Sequence, residues 1–194
     1  MKGMTNVTGE LDIKDRWNLK IIKVEAHEVK SYTPIGMAYV MMRNASFESK
    51  DISLSYKYGC VNTRDPFTIE CEEDSSACIV DFPGLSLLET RIFIQECLDM
   101  GNLSYMDGGT NTTAINPGRL GDPVINYVHF PAHMYQTLHT HPSHRVGLVI
   151  RGNGKIELDN KEFYDINEGE IFFMRRNCLH NFICEDEDVV VFVW

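Results

Sequence analysis

Between Pro123 and Trp194 the sequence breaks into many short runs rich in β-branched and aromatic residues. They fall at 124–130 (VINYVHF), 134–141, 145–151, 154–159 (GKIELD), 162–165, 170–174 and 188–194 (DVVVFVW). None is long enough for an amphipathic helix of ordinary length, and turn residues separate them. Gly152-Asn153-Gly154 and Asp159-Asn160-Lys161 read as hairpin turns. Many short antiparallel strands can hide their apolar faces only by closing on themselves or stacking as two sheets. The feature therefore dictates an all-β architecture.

The first half has the same character with less regularity. Segments 19–25 (LKIIKVE), 37–42 (MAYVMM), 52–58 (ISLSYKY), 67–71 (FTIEC) and 77–82 (ACIVDF) read as strands, separated by signals such as Asp65-Pro66 and the acidic 72–76. Residues 1–16 are polar and charged without periodicity, and are expected to form a flexible arm. Residues 85–98 fit a helical face in part, but 90–97 alternates as a strand. Residues 99–122 are dense in Gly, Asn, Thr and Asp, the composition of a linker or of a loop over a barrel mouth.

Bulk properties narrow the function classes. A formal net charge of −10 argues against nonspecific binding to nucleic acid or to an anionic membrane surface. No apolar run approaches the roughly 18 residues of a membrane helix, and the first residues carry no signal-peptide core, so the expected location is cytoplasmic. The six cysteines (60, 71, 78, 97, 178 and 184) lack CxxC spacing and are expected to be reduced thiols.

The chemistry concentrates in Gln136–Gly152, QTLHTHPSHRVGLVIRG. Side chains at i and i+2 of a strand share a face, so His139 and His141 project together as half of a metal site. In an uninterrupted strand Tyr135 and Thr137 join them on the inward face. His180, after the strand-like run 169–174, is the candidate third ligand.

This region resembles the cupin superfamily, whose motifs read roughly G-x5-H-x-H-x3,4-E-x6-G and G-x5-P-x-G-x2-H-x3-N. The first is matched at His139, His141 and Gly152, the second at Gly169 and His180. His133 replaces the first Gly and Arg145 the Glu; Arg175, Asn177 and Cys184 replace the Pro, Gly and Asn. The resemblance covers about the last 75 residues. It implies a cupin-type double-stranded β-helix, the jelly roll, at 123–194, preceded by a β-rich region at 17–98. That region is either an extension or a degenerate second barrel. It also implies a homodimer.

Further implications of the resemblance concern the site. His139, His141 and His180 would hold one divalent metal, with Fe2+ the first candidate and Zn2+, Ni2+ or Mn2+ the others. All-histidine sites occur in relatives of the cysteine dioxygenase type. Arg145, in place of the carboxylate ligand, has three readings: it grips the anionic end of a ligand, it turns outward to a surface acid, or it marks a site without metal. Tyr135 and Phe182 are the other candidate substrate-binding residues, Phe182 being equally a core filler. His144 is a candidate fourth ligand or a surface residue. His27, His129 and His133 carry no assigned role, Cys178 reads as a turn filler, and 185–188 as a solvated acidic turn. The expected function is a metal-dependent cupin acting on a small anionic or polar metabolite, an iron-dependent dioxygenase being one form. The alternative is a non-catalytic ligand-binding or sensing cupin.

Overall fold

The computed structural model describes residues 3–15, 18–87, 89–96 and 100–194. In chain order the first strands are β1 (Met4–Asn6), β2 (Glu10–Ile13), β3 (Leu19–Val24), β4 (Val29–Tyr32), β5 (Met37–Ser49), β6 (Ile52–Thr63), β7 (Phe67–Phe82) and β8 (Arg91–Gln95). They are followed by β9 (Leu103–Ser104), β10 (Thr110–Ile115), β11 (Ile125–Phe130), β12 (Arg145–Arg151), β13 (Gly154–Leu158), β14 (Phe163–Ile166), β15 (Ile171–Met174), β16 (His180–Ile183) and β17 (Val189–Val193). A single 3-10 turn, Met106–Gly108, is the only helical element among the described residues. None of it is long and apolar enough to cross a membrane as a helix.

Two compact units divide the chain. One comprises Met1–Asn6, Leu98–Thr113 and Ile125–Trp194; the other comprises Val7–Cys97 and Ala114–Val124. The first is a double-sheet β structure of the cupin type. A seven-stranded sheet in the order β1-β15-β12-β17-β11-β10-β9 packs on a three-stranded sheet in the order β14-β13-β16. The apolar residues between them come from both: Val128, Phe130, Val149, Phe172 and Val191 from the large sheet, Ile156, Leu158, Ile166 and Phe182 from the small one. Alternation makes this layer, since the small sheet turns Lys155 and Asp165 to the other face.

The turn expected at Gly152–Gly154 is not a hairpin. β12 belongs to the large sheet and β13 to the small one, so the chain changes sheets there. Gly152 is required at that corner: its φ is 77°, and a Cβ would stand 2.1 Å from the Asp188 carbonyl oxygen. Asp159–Lys161 does close a hairpin, β13 pairing with β14.

The second unit is one seven-stranded sheet, β2-β3-β7-β5-β6-β8 with β4 also on β7. The two short runs at 67–71 and 77–82 prove to be one strand, β7, which pairs with β5 on both sides of the acidic stretch, the register shifting between Arg43–Ser76 and Ala45–Cys71 so that 72–75 bulge out of the ladder. Along its other edge it takes β4 and then β3. The core is aliphatic and aromatic, with Ile22, Val40, Phe47, Val61, Ile69 and Ile79 nearly inaccessible.

Residues read as a flexible arm contain two strands. β1 pairs with β15, burying Met4, and β2 pairs with β3. Isolated apolar residues, Met4, Val7 and Ile13, anchor a segment whose average composition is polar. Residues 99–122 are also structured, holding β9, the 3-10 turn and β10. Strand β8 falls within the expected 90–97, and Cys97 lies outside the described residues.

Candidate metal centre

The segment carrying the paired histidines, 134–141, is not a continuous strand. It touches β16 through two isolated bridges, Tyr135 with Ile183 and His139 with His180. In an antiparallel pair the partner numbers keep a constant sum; here 135 + 183 = 318 and 139 + 180 = 319. One extra residue therefore lies between the bridges, a β-bulge, and parity inverts across it. Gln136 is inside, its N–H bonded to the Phe182 carbonyl at 3.0 Å, and past the bulge His139 and His141 are inside instead.

This corrects the placement of Tyr135 and Thr137. Tyr135 is 63% exposed and donates its hydroxyl to Glu157 Oε2, away from the histidines. Thr137 is exposed, its N–H and hydroxyl both bound by the Asp107 carboxylate at 2.7 and 3.1 Å. Alternation alone cannot reveal a bulge.

The three histidines converge. Ring centroids stand 4.9 Å apart for His139 and His141, 4.5 Å for His139 and His180, and 5.3 Å for His141 and His180. One ring nitrogen from each lies within 4.8 Å of the other two, close enough to hold a metal ion. Two of the rings are oriented from behind. His139 Nδ1 lies 2.9 Å from the Thr137 carbonyl oxygen and His180 Nδ1 2.9 Å from that of Cys178. A carbonyl only accepts, so each Nδ1 carries the proton and each Nε2 keeps its lone pair for the centre of the cluster.

Electrostatics hold His141 and His180 neutral. Burial first, then the Arg145 charge and the neighbouring rings, pulls the His141 pKa down to about 3. Burial, outweighing the bond to the Cys178 carbonyl, takes His180 to about 4. Neutral imidazole is the form that ligates metal.

The histidines open onto a cavity of about 210 Å³. Arg145, the first residue of β12, lines it, as do Gln136, Asn111 and Tyr105; Val128, Phe130, Phe172, Phe182 and Val191 form an apolar wall. Phe182 stacks on Phe130 with centroids 4.6 Å apart. Phe172 reaches its place across Gly147, where a Cβ would stand 2.1 Å from the ring. The Arg145 guanidinium donates to Ser143 Oγ (2.6 Å) and the His144 carbonyl (3.2 Å), and among the described residues no carboxylate pairs with it. Its pKa is lowered by burial.

Two cavity residues gave no signal in sequence. Gln136 is fully buried, its Oε1 accepts from the Phe182 N–H at 3.3 Å, and its Nε2 has no partner. Asn111 Oδ1 is likewise buried and unpartnered. A buried polar group left so costs about 1–3 kcal/mol. A lone Gln or Asn in a β-rich segment looks like any surface residue until the register is known.

The remaining candidates lie elsewhere. His144 is buried, its Nδ1 accepting from the Arg176 N–H at 3.0 Å, and His133 is exposed. His129 Nε2 meets the Asp188 carboxylate at 3.0 Å, so the acidic run is partly tied down. Cys178 packs beside the core with its thiol pKa raised by burial and by Asp159, and the five described cysteines are free. His27 is exposed in the other unit.

Residues 121–194 match the family model of the AraC-like ligand binding domain. No curated protein matches the sequence. Among solved structures, a cupin 2 conserved barrel domain protein from Leptotrichia buccalis is 13% identical, with 98% of this chain and 86% of that one covered at a TM-score of 0.59. An IolB-like protein from Salmonella typhimurium is 11% identical over 100% of this chain and 91% of that one, TM-score 0.65. A mutant of Bacillus subtilis oxalate decarboxylase is 11% identical over 98% and 74%, TM-score 0.58.

Proposed function

We propose that this chain, whose fold is that of the cupin barrel proteins, is a metal-dependent cupin acting on a small anionic metabolite. The observation that carries the reading is the convergence of three histidines beside an arginine that has no carboxylate partner among the described residues, in one cavity. His139, His141 and His180 hold one divalent metal, Fe2+ first, with Zn2+, Ni2+ and Mn2+ as alternatives. When bound, that metal supplies Lewis acidity or, as iron, the capacity to activate dioxygen.

The protein's own groups have separate tasks. The Thr137 and Cys178 carbonyls keep the His139 and His180 rings in the ligating tautomer. Arg145 neutralises and orients the carboxylate or phosphate of the substrate, its fork geometry suiting either group. Phe130, Phe172 and Phe182 exclude water from the remainder of the ligand. Tyr135 has no part in this, because its hydroxyl is committed to Glu157.

Elemental analysis of protein purified without chelator or histidine tag tests the reading, beside His139→Ala and His180→Ala. Near-stoichiometric metal in the native chain and loss in both variants is expected. No metal after anaerobic loading with iron, zinc, nickel and manganese would remove the metal from the proposal. The match to a ligand-binding domain favours one second reading, a non-catalytic module. Oxygen consumption or acid turnover by the metal-loaded protein, with oxalate among the acids tried, separates the two.

A further inference from the structure

The reading above leaves open what the anionic ligand carries besides its charge, and the inference drawn next rests on that reading. Gln136 and Asn111 line the same cavity as Arg145. The Gln136 amide has a defined orientation, because its Oε1 accepts from the Phe182 N–H and only Nε2 is left, a donor without a partner. Asn111, on β10, leaves Oδ1, an acceptor without a partner. The most buried amide of the other unit is different: Asn62 donates to the Glu89 carbonyl at 3.4 Å and accepts from the Arg91 N–H at 2.6 Å. Two buried side-chain atoms without a partner thus line this one cavity. One unmet group is a donor and the other an acceptor, on a wall that carries Tyr105 and Asn126 beside the apolar Val128, Phe130, Phe172 and Val191.

A hydroxyl is the small group that completes such a pair, since it accepts one hydrogen bond and donates another. A carboxylate only accepts, an ammonium only donates, and a methyl does neither. We infer that the cavity selects a short hydroxy acid, with its carboxylate on Arg145 and its hydroxyl between Gln136 Nε2 and Asn111 Oδ1. A volume of about 210 Å³ limits the chain to a few carbons. An acid without the hydroxyl would enter the same space and leave both amides unpaired, the circumstance in which a site discriminates most strongly.

Calorimetric titration of the metal-loaded protein with butanoate and with 2-, 3- and 4-hydroxybutanoate tests this. At least one hydroxy isomer is expected to bind roughly tenfold or more tighter than butanoate. That preference should fall to about twofold or less in Gln136→Met, which lacks the donor, and in Gln136→Glu, which keeps the acceptor for Phe182 but replaces the donor. Thermal unfolding of both variants checks that they are folded, and the ratio between ligands cancels any general effect of the new charge. Equal binding of all four acids overturns the inference, as does a preference that survives in both variants; water held between the amides would give the first result. A hydroxy-acid preference that survives Arg145→Ala but not Gln136→Met keeps the hydroxyl site and removes Arg145 as the anion holder. Failure of all four acids to bind overturns both.

Discussion

The two units bury polar groups in opposite ways. In the sheet built by β2 to β8, Asp81 is fully buried, and its carboxylate accepts from the Tyr32 hydroxyl (2.8 Å) and the Ile35 and Gly36 N–H groups (2.7 and 3.2 Å). The group is costly to bury and every bond it needs is made, so its work is structural. In the site-bearing unit the cavity gathers groups whose needs are open: two histidine Nε2 atoms, Gln136 Nε2, Asn111 Oδ1 and the Arg145 charge. Ser76 Oγ in the first sheet and His129 Nδ1 and Asn181 Oδ1 in the site-bearing unit are also buried without a partner, but none of them lines this cavity. Satisfied burial and convergent unsatisfied burial separate scaffold from site more sharply than burial itself.

The contrast predicts opposite outcomes for mutation. The largest effect should come from His180→Ala, which removes a ligand and should weaken metal binding by more than the roughly 100-fold expected for loss of an outer partner, by competition with a chelator. The metal-free variant should unfold at the urea concentration of the metal-free native chain or higher. Asp81→Ala should do the reverse, leaving metal binding intact while removing about 3 kcal/mol from stability, because three donors lose their acceptor. A His180 variant that is unstable without metal, or an Asp81 variant that is not destabilised, would break the comparison.

Acidification sharpens it. His141 and His180 titrate at about 3 and 4 in the folded chain, against about 6.5 when unfolded. Between those values the unfolded state binds more protons, so stability present above pH 6.5 is lost as pH falls. The metal-free protein should lose about 3 kcal/mol from pH 6.5 to 5, and His141→Gln should flatten the slope. The smallest effect should come from Asp107→Asn. Asp107 holds Thr137, whose carbonyl holds the His139 ring, so weakening that grip should lower metal affinity by about tenfold with stability nearly unchanged. An equal loss of affinity and stability would mean that Asp107 only supports its loop.

Features that depend on residue type and spacing were legible in the sequence. The β-rich character, the His139–His141 pair and its convergence with His180 follow from composition, period and the motif resemblance. Features that depend on register were not. The bulge between Gln136 and His139 moved Tyr135 out of the site and Gln136 into it, though nothing in QTLH announces an extra residue. β7 pairs with β5 on both sides of a bulge at 72–75, a tertiary continuity that the acidic Glu72–Ser76 conceals. The arm read from polar residues is stranded because three spaced apolar side chains suffice to seat it.

The bulge also separates two properties that a regular strand would tie together. In a regular strand, changing which residue faces the ligand requires substitution. Here the extra residue sits upstream of both histidines, so its position could change without disturbing them. Slipped toward Met134 with the sequence unchanged, it would exchange Gln136 in the wall for Tyr135 and Thr137. Ligand preference in this fold can therefore drift by slippage of a single residue, with the metal-binding triad carried along unchanged.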